Sequence, residues 1–169
     1  MLKKHLDKDF KLIACGKHAP GKRVLKAFEK RFGVRFPEAF KVFSTSANGG
    51  MYIEVKEAIW PRPKAWDVGP FWWFLYGMFV YGFAKDIPDW MNMSKEADAF
   101  NKNVNPGYFP FLKVIGDADV YCFDRAGMIY RWDHELDEFN KIDMGFNELL
   151  EQEVKELKER KERKKAGLD

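Results

Sequence analysis

The chain has 169 residues, 46% hydrophobic, 17% aromatic and 33% charged, with a formal net charge of +3. This length suits one domain whose core stands without disulfide or metal staples, and the mixture of bulky apolar and charged residues excludes intrinsic disorder. The two cysteines, Cys15 and Cys122, lie far apart and form no C-x-x-C pattern, which excludes a disulfide-framed secreted scaffold.

Charge is unevenly spread. Residues 1–35 hold eleven Lys/Arg against Asp7, Asp9 and Glu29, a local net of +8, and the remainder carries −5. A dipolar chain of this kind steers oppositely charged partners to its two faces, although a solvated basic helix accounts for the same residues. The opening MLKKHLDKDFKLIACG scatters charges where a signal peptide needs an apolar run. The expected location is therefore the cytoplasm, with both thiols reduced.

The first predicted element is a helix in KRVLKAFEKRF, after Pro20-Gly21. Val24, Leu25, Phe28 and Phe32 form its apolar face, Lys22, Arg23, Lys26, Lys30 and Arg31 are left to water, and Gly33 supplies a left-handed C-cap. A second helix is expected from Pro37, with Phe40, Phe43 and Ala47 as its buried stripe and Asn48-Gly49-Gly50 as its stop. MYIEV (51–55) alternates as a strand, and Met78–Phe83 is a second one. Between them Pro61, Pro63 and Pro70 forbid long regular structure. The uncharged run Val68–Ala84 is at the short limit for a membrane span. Its internal Gly69, Pro70, Gly77 and Gly82, and aromatics distributed throughout, argue for a folded loop and strand, so no membrane association is expected.

Residues 88–101 are predicted as a short helix, and Asn105-Pro106-Gly107 as a turn. FLKVI (111–115), VYCFD (120–124), MIYRW (128–132) and EFNKI (138–142) follow as short strands separated by Asp- and Gly-rich turns, an antiparallel meander. Phe146, Leu149, Leu150, Val154 and Leu157 mark an amphipathic helix packed back on the sheet. Beyond Leu157 the apolar stripe stops, so residues 158–169 are expected to be a charged, solvated helical tail on a single α+β domain of residues 1–157.

No catalytic constellation is legible. His5, His18 and His134 have no Cys, Asp or Glu at zinc spacing, so no metal or cofactor is expected. Asp117, Asp119 and Asp124 are explained by hairpin turns. Asn48-Gly49-Gly50 follows a helix where a phosphate cradle would open one. Ser44, Ser46 and Cys122 lack a recognisable base, and Cys122 sits in mid-strand as core. The remaining signal is aromatic. Trp60, Trp66, Trp72 and Trp73 fall in a Pro-broken segment where exposed Trp would form a binding hot spot, the alternative being a loop folded over the sheet as accessory core.

The order of motifs resembles the SUKH superfamily, which holds bacterial immunity proteins for polymorphic toxins and fungal cell-wall-assembly regulators of the Smi–Knr type. Its usual pattern is a Gly before a Leu-Pro-x-x-Tyr helix, a Phe-Leu pair, then Asn-Gly-Gly. Gly33, Pro37 and Asn48-Gly49-Gly50 match it, Phe36 and Phe40 replace the Leu and Tyr, and Phe43 fits the next apolar position. Ile129, Trp132 and His134 resemble the family's strand and following turn, and Phe146 with Leu149 its terminal helix, over about residues 20–155. The Trp-rich segment around 60–77 is larger than the family pattern.

The resemblance implies an α+β domain with an N-terminal helical hairpin, an antiparallel-rich sheet and a C-terminal helix, without enzymatic activity, that binds and occludes a cognate toxin domain. The expected contact residues are Trp60, Trp66, Trp72, Trp73, Asp133, His134 and Glu135. The alternative is a nucleic-acid-binding or regulatory scaffold module using the basic N-terminal segment. The acidic remainder and the lack of a nucleic-acid motif count against it.

Overall fold

The computed structural model describes residues 2–14, 16–47, 49–64 and 66–168. Its centre is a seven-stranded sheet in which the strands pair in chain order: β1 (Phe10–Ala14), β2 (Met51–Val55), β3 (Gly77–Val80), β4 (Phe109–Val114), β5 (Val120–Phe123), β6 (Ile129–Asp133) and β7 (Glu138–Ile142). Every neighbouring pair is antiparallel. Helices α1 (Lys22–Phe32) and α2 (Glu38–Ser44) connect β1 to β2, α3 (Met93–Asn103) connects β3 to β4, and α4 (Phe146–Lys165) follows β7. The α+β class, helical hairpin, meander and closing helix expected from the sequence are all present.

Two cores flank the sheet. On one face Phe123 packs its ring against Phe40 of α2 and Phe146 of α4, and stacks on Phe111 at 4.0 Å. Phe28 of α1 joins through Phe36 and Phe109. On the other face Trp132 and Phe139 meet Phe100 of α3. Leu149, Leu150, Val154 and Leu157 are buried as their spacing predicts, whereas Val24 of the α1 face stays exposed.

The motif between α1 and α2 is fixed by specific bonds. Gly33 ends α1 at φ 64°, where its amide bonds the Glu29 carbonyl. The Glu29 carboxylate accepts from the Phe36 amide and pairs with Lys41 at 3.0 Å. Pro37 is the N-cap of α2 and not its first helical residue. The β5–β6 turn closes over the motif, since the Arg35 amide donates to the Arg125 carbonyl and a Cβ on Gly127 would stand 2.4 Å from the Arg35 oxygen.

The expected α2 stripe is shortened. The helix ends at Ser44, and Ala47 is exposed outside it, because Thr45 and Ser46 turn their hydroxyls back onto the Lys41 and Phe43 carbonyls. Asn48 lies outside the described residues, as does Cys15. Gly49 and Gly50 are buried where the chain crosses Gly82, so the pair serves a close backbone crossing as well as a helix exit. The strand expected at Met78–Phe83 is Gly77–Val80. In the 88–101 region Pro88 opens a 3-10 turn at Asp89–Met91, and Asn92 caps α3 by accepting from the Ser94 and Lys95 amides.

Strand β1 is not predicted by the sequence reading, and its presence changes the C-terminal tail. α4 runs unbroken to Lys165, and Lys161, in the segment expected to be solvated, is 0% exposed. It continues the buried face one turn beyond Leu157 and pairs with Asp7 and Asp9, and Lys165 also reaches Asp9 at 3.0 Å. Lys4 and His5 meet Glu151 from the same N-terminal segment.

These ion pairs make the N-terminal clasp acid-labile. The bonds from Lys4 and His5 hold the Glu151 carboxyl at about 2. Burial pushes Asp7 up, but its bonds with Lys161 and the Asp9 amide outweigh that, and the bond from Lys165 holds Asp9 down. A carboxylate depressed in the folded state contributes stability above its unfolded value and loses it as pH falls through the folded one. Unfolding free energy is therefore expected to drop between about pH 4.5 and pH 2. Urea titrations across that range should show the slope flattened in Glu151→Gln, and an unchanged slope would show that the clasp does not form.

Candidate functional site

Meander topology decides which loops meet. With every strand antiparallel to the next, the β2–β3, β4–β5 and β6–β7 connections leave one end of the sheet, while α1, α2, α3 and the β5–β6 turn belong to the other. The first end therefore collects the aromatic segment between β2 and β3, the Gly116–Asp119 turn and the His134–Asp137 turn. The first and last of these hold the residues expected to contact a partner, with Trp73 and Asp133 60 positions apart in sequence.

The aromatic segment divides into anchor and surface. Trp60 is 2% exposed and donates its indole NH to the Trp73 carbonyl at 3.1 Å, so it is core and cannot offer a contact surface. Trp73 is half-buried, its ring seated on Gly69, and the Lys164 ammonium lies 5.8 Å from the Trp60 ring centre and 6.0 Å from that of Trp73. Trp66, Phe71 and Trp72 are 78%, 64% and 44% exposed, with Val68 fully exposed between them. Phe71 and Trp72 meet edge to face at 5.6 Å. Phe74 fixes this segment to the β4–β5 turn, because Gly116, at φ 81°, lets its backbone lie against Phe74 where any Cβ would clash at 2.3 Å.

Beside Phe71 lies a groove of about 480 Å³ lined by Gly116, Asp117, Ala118, Asp119, Arg131, Asp133, His134 and Glu135. Arg131 holds its floor, reaching Asp117 at 2.8 Å and Asp119 at 3.2 Å, and lies near the ring of its cross-strand neighbour Tyr121. The Tyr121 hydroxyl in turn donates to the buried Glu153 of α4 at 2.6 Å. His134 ties the two turns, since both its amide and Nδ1 meet Asp119 Oδ1, at 3.1 and 3.0 Å. Burial opposes ionisation of Asp119, but the His134 bonds and the Arg131 charge outweigh it and hold the carboxyl below its ordinary range.

The histidine reading from sequence needs one correction. The sequence places no Cys, Asp or Glu at zinc spacing from His134, yet Asp119, Asp133 and His134 bring donor atoms within 4.8 Å of one another across the two turns. Most of these donor atoms already serve the fold. Asp119 bonds His134 and Arg131, and Asp133 Oδ1 accepts from the Glu135 and Leu136 amides. Structural zinc takes four ligands, and these three groups serve to lock the turns.

Trp132 lies just inward, half-buried, donating to Asp137 at 2.9 Å. Asp137 takes φ 53° in the turn, a conformation aspartate tolerates. Cys122 is fully buried, and desolvation pushes its thiol well above the ordinary range, which keeps it a core residue. The Ser44 hydroxyl is buried, and among the described residues it has no hydrogen-bond partner.

Among the described side chains, the N-terminal bases do not form one patch on one element. Lys4 and Lys11 pair with Glu151 and Glu54 at the β1 side, while α1 displays Lys22, Arg23, Lys26, Lys30 and Arg31, the last bonded to Asp98. The hollow between α1 and α2 mixes Lys22, Lys26 and Lys41 with Glu29 and Glu38.

Sheet, helices and groove together define an α+β domain with aromatic and acidic loops gathered at one end of an antiparallel meander, and no helix among the described residues is long and apolar enough to cross a membrane. The family model of the SMI1 / KNR4 family (SUKH-1) matches residues 21–152, and the chain belongs to that family within the SUKH superfamily, which includes toxin-immunity proteins. Neither a curated protein nor a solved structure gives a significant match to the chain.

Proposed function

We propose that this chain is an immunity-type binding protein of the bacterial cytoplasm that neutralises a cognate toxin domain by covering it, without catalysis of its own. The observation that carries this reading is the Phe71–Trp72 pair, which stays in water beside the groove, with Trp66 of the same segment also exposed, while Trp60 is buried. Large aromatic side chains left at the surface are the usual anchors of protein interfaces, and a fold with this much core has no need to leave them out.

The test begins with capture of tagged chain complexes from nuclease-treated source cells, followed by calorimetry with the protein recovered. Trp72→Ala and Phe71→Ala are each expected to weaken binding by about 2 kcal/mol, roughly thirtyfold, with no change in melting temperature. A toxin that binds both variants at full strength would place the interface elsewhere. Retention of nucleic acid alone when nuclease is omitted, falling steeply with salt, would transfer the function to the basic α1 surface.

A further inference from the structure

The groove at the loop end has more negative charge than its fold consumes. Asp117 uses one oxygen on the Asp119 amide and the other on Arg131, and Asp119 is divided between His134 and Arg131. Asp133 spends Oδ1 on the turn amides. Among the described residues, Asp133 Oδ2 and the exposed Glu135 carboxylate have no hydrogen bond or ion pair. Four carboxylates thus line the groove against the Arg131 guanidinium and the Lys113 ammonium, which donates to the Ala118 carbonyl, and the free Asp133 Oδ2 and Glu135 carboxylate stand at the rim that Phe71 walls.

We infer that this groove takes the cationic side chain, an arginine above all, of a basic protein partner, held between the Phe71 ring and the Asp133 and Glu135 carboxylates. The inference rests on the proposed function and names the chemistry of its partner. A planar guanidinium satisfies both walls at once, because it lays its face on an aromatic ring and turns its N–H fork to carboxylate oxygens. A bare metal ion would use the carboxylates and gain nothing from the ring. The exposed Trp72, edge to face with Phe71 at 5.6 Å, continues the same surface, so the cation sits at the edge of an apolar contact where its pairing is partly shielded from water. The acidic groove also draws in a basic partner before contact and speeds association.

The test is an NMR titration of the ¹⁵N-labelled full chain with the peptide acetyl-Gly-Arg-Gly-Arg-Gly-amide. Saturable shifts are expected at the amides of Gly116, Asp119, His134 and Glu135 and at the Trp72 indole. The doubly neutral Asp133→Asn/Glu135→Gln chain should bind about tenfold more weakly, with asparagine keeping the turn bonds and the spectrum remaining folded. The glutamate counterpart of the peptide should produce no shifts. Peptide shifts scattered outside the groove, or unaffected in the double variant, would overturn the inference. So would saturation of the same amides by zinc chloride with none by the peptide.

The two readings fail separately. A recovered toxin that senses Trp72→Ala but not the double variant would refute the cation pocket and leave the immunity role. A chain that binds the arginine peptide in the groove while capture recovers no toxin would keep the cation pocket and refute the immunity role.

Discussion

Phe40→Ala is expected to cost about 3–5 kcal/mol, the range for removing a fully enclosed phenylalanine. Phe40 is 0% exposed and lies where α2, α4 and the sheet meet, with ring centres of Phe36 at 5.0 Å, Phe123 at 4.9 Å, Phe146 at 5.2 Å and Phe111 at 6.0 Å. These neighbours come from four separate segments, so none can move inward without losing contacts of its own, and the cavity stays largely open. Domains of this size hold about 5–15 kcal/mol in all, and the melting temperature should fall by roughly ten degrees. Urea unfolding at neutral pH measures the loss. Val42→Ala, on the exposed side of the same helix, should change it by under about 0.5 kcal/mol. Equal effects from the two would mean that α2 does not present Phe40 to the sheet.

The distribution of what was legible in the sequence follows from what kind of signal each element carries. Strands β4 to β7 are short runs of aromatic and β-branched residues between Asp- and Gly-rich turns, and both signals are local, so their positions come out within a residue or two. Strand β1 gives little local signal. It is an edge strand in a basic stretch, its alternation is weak, and its stability comes from bonds to β2 and from Asp9 meeting Lys161 and Lys165, more than 150 residues away. The burial of Lys161 had one available clue, since it stands four residues after Leu157 on the same helical face. Reading a lysine there as core requires the distant aspartates as well.

The site was legible in pieces. The Trp-rich segment and the 133–135 turn each stand out, but their meeting depends on meander parity, which no spacing rule encodes. Trp60 and Trp72 look alike in sequence. What separates them is a single tertiary bond, from the Trp60 indole to the Trp73 carbonyl, that draws one ring inward. The His134–Asp119 pair was hidden for the same reason, because its members are on different hairpins.

Gly82→Ala is expected to destabilise by about 1–3 kcal/mol, although alanine adds only one methyl group. That carbon would stand 2.6 Å from the Gly50 Cα and 2.9 Å from the Gly49 carbonyl oxygen, and neither neighbour is a flexible side chain. Gly82 has no room to retreat, since its amide donates to the Met91 carbonyl and its own carbonyl accepts from the Met93 amide. Gly50 adds a second constraint by holding φ at 96° at the same crossing. Gly21→Ala is the matched control, with an extended backbone at φ −69° and open space around the new carbon, and it should change stability by under about 0.5 kcal/mol, since restricting the unfolded chain offsets alanine's weakness as the N-cap of α1. In the Gly50→Ala/Gly82→Ala chain the two methyl groups force the same crossing apart, so the second substitution should cost less than it does alone. Strict additivity would show that the two strain the fold independently, and a neutral Gly82→Ala would show that the crossing is looser than the glycine pair requires.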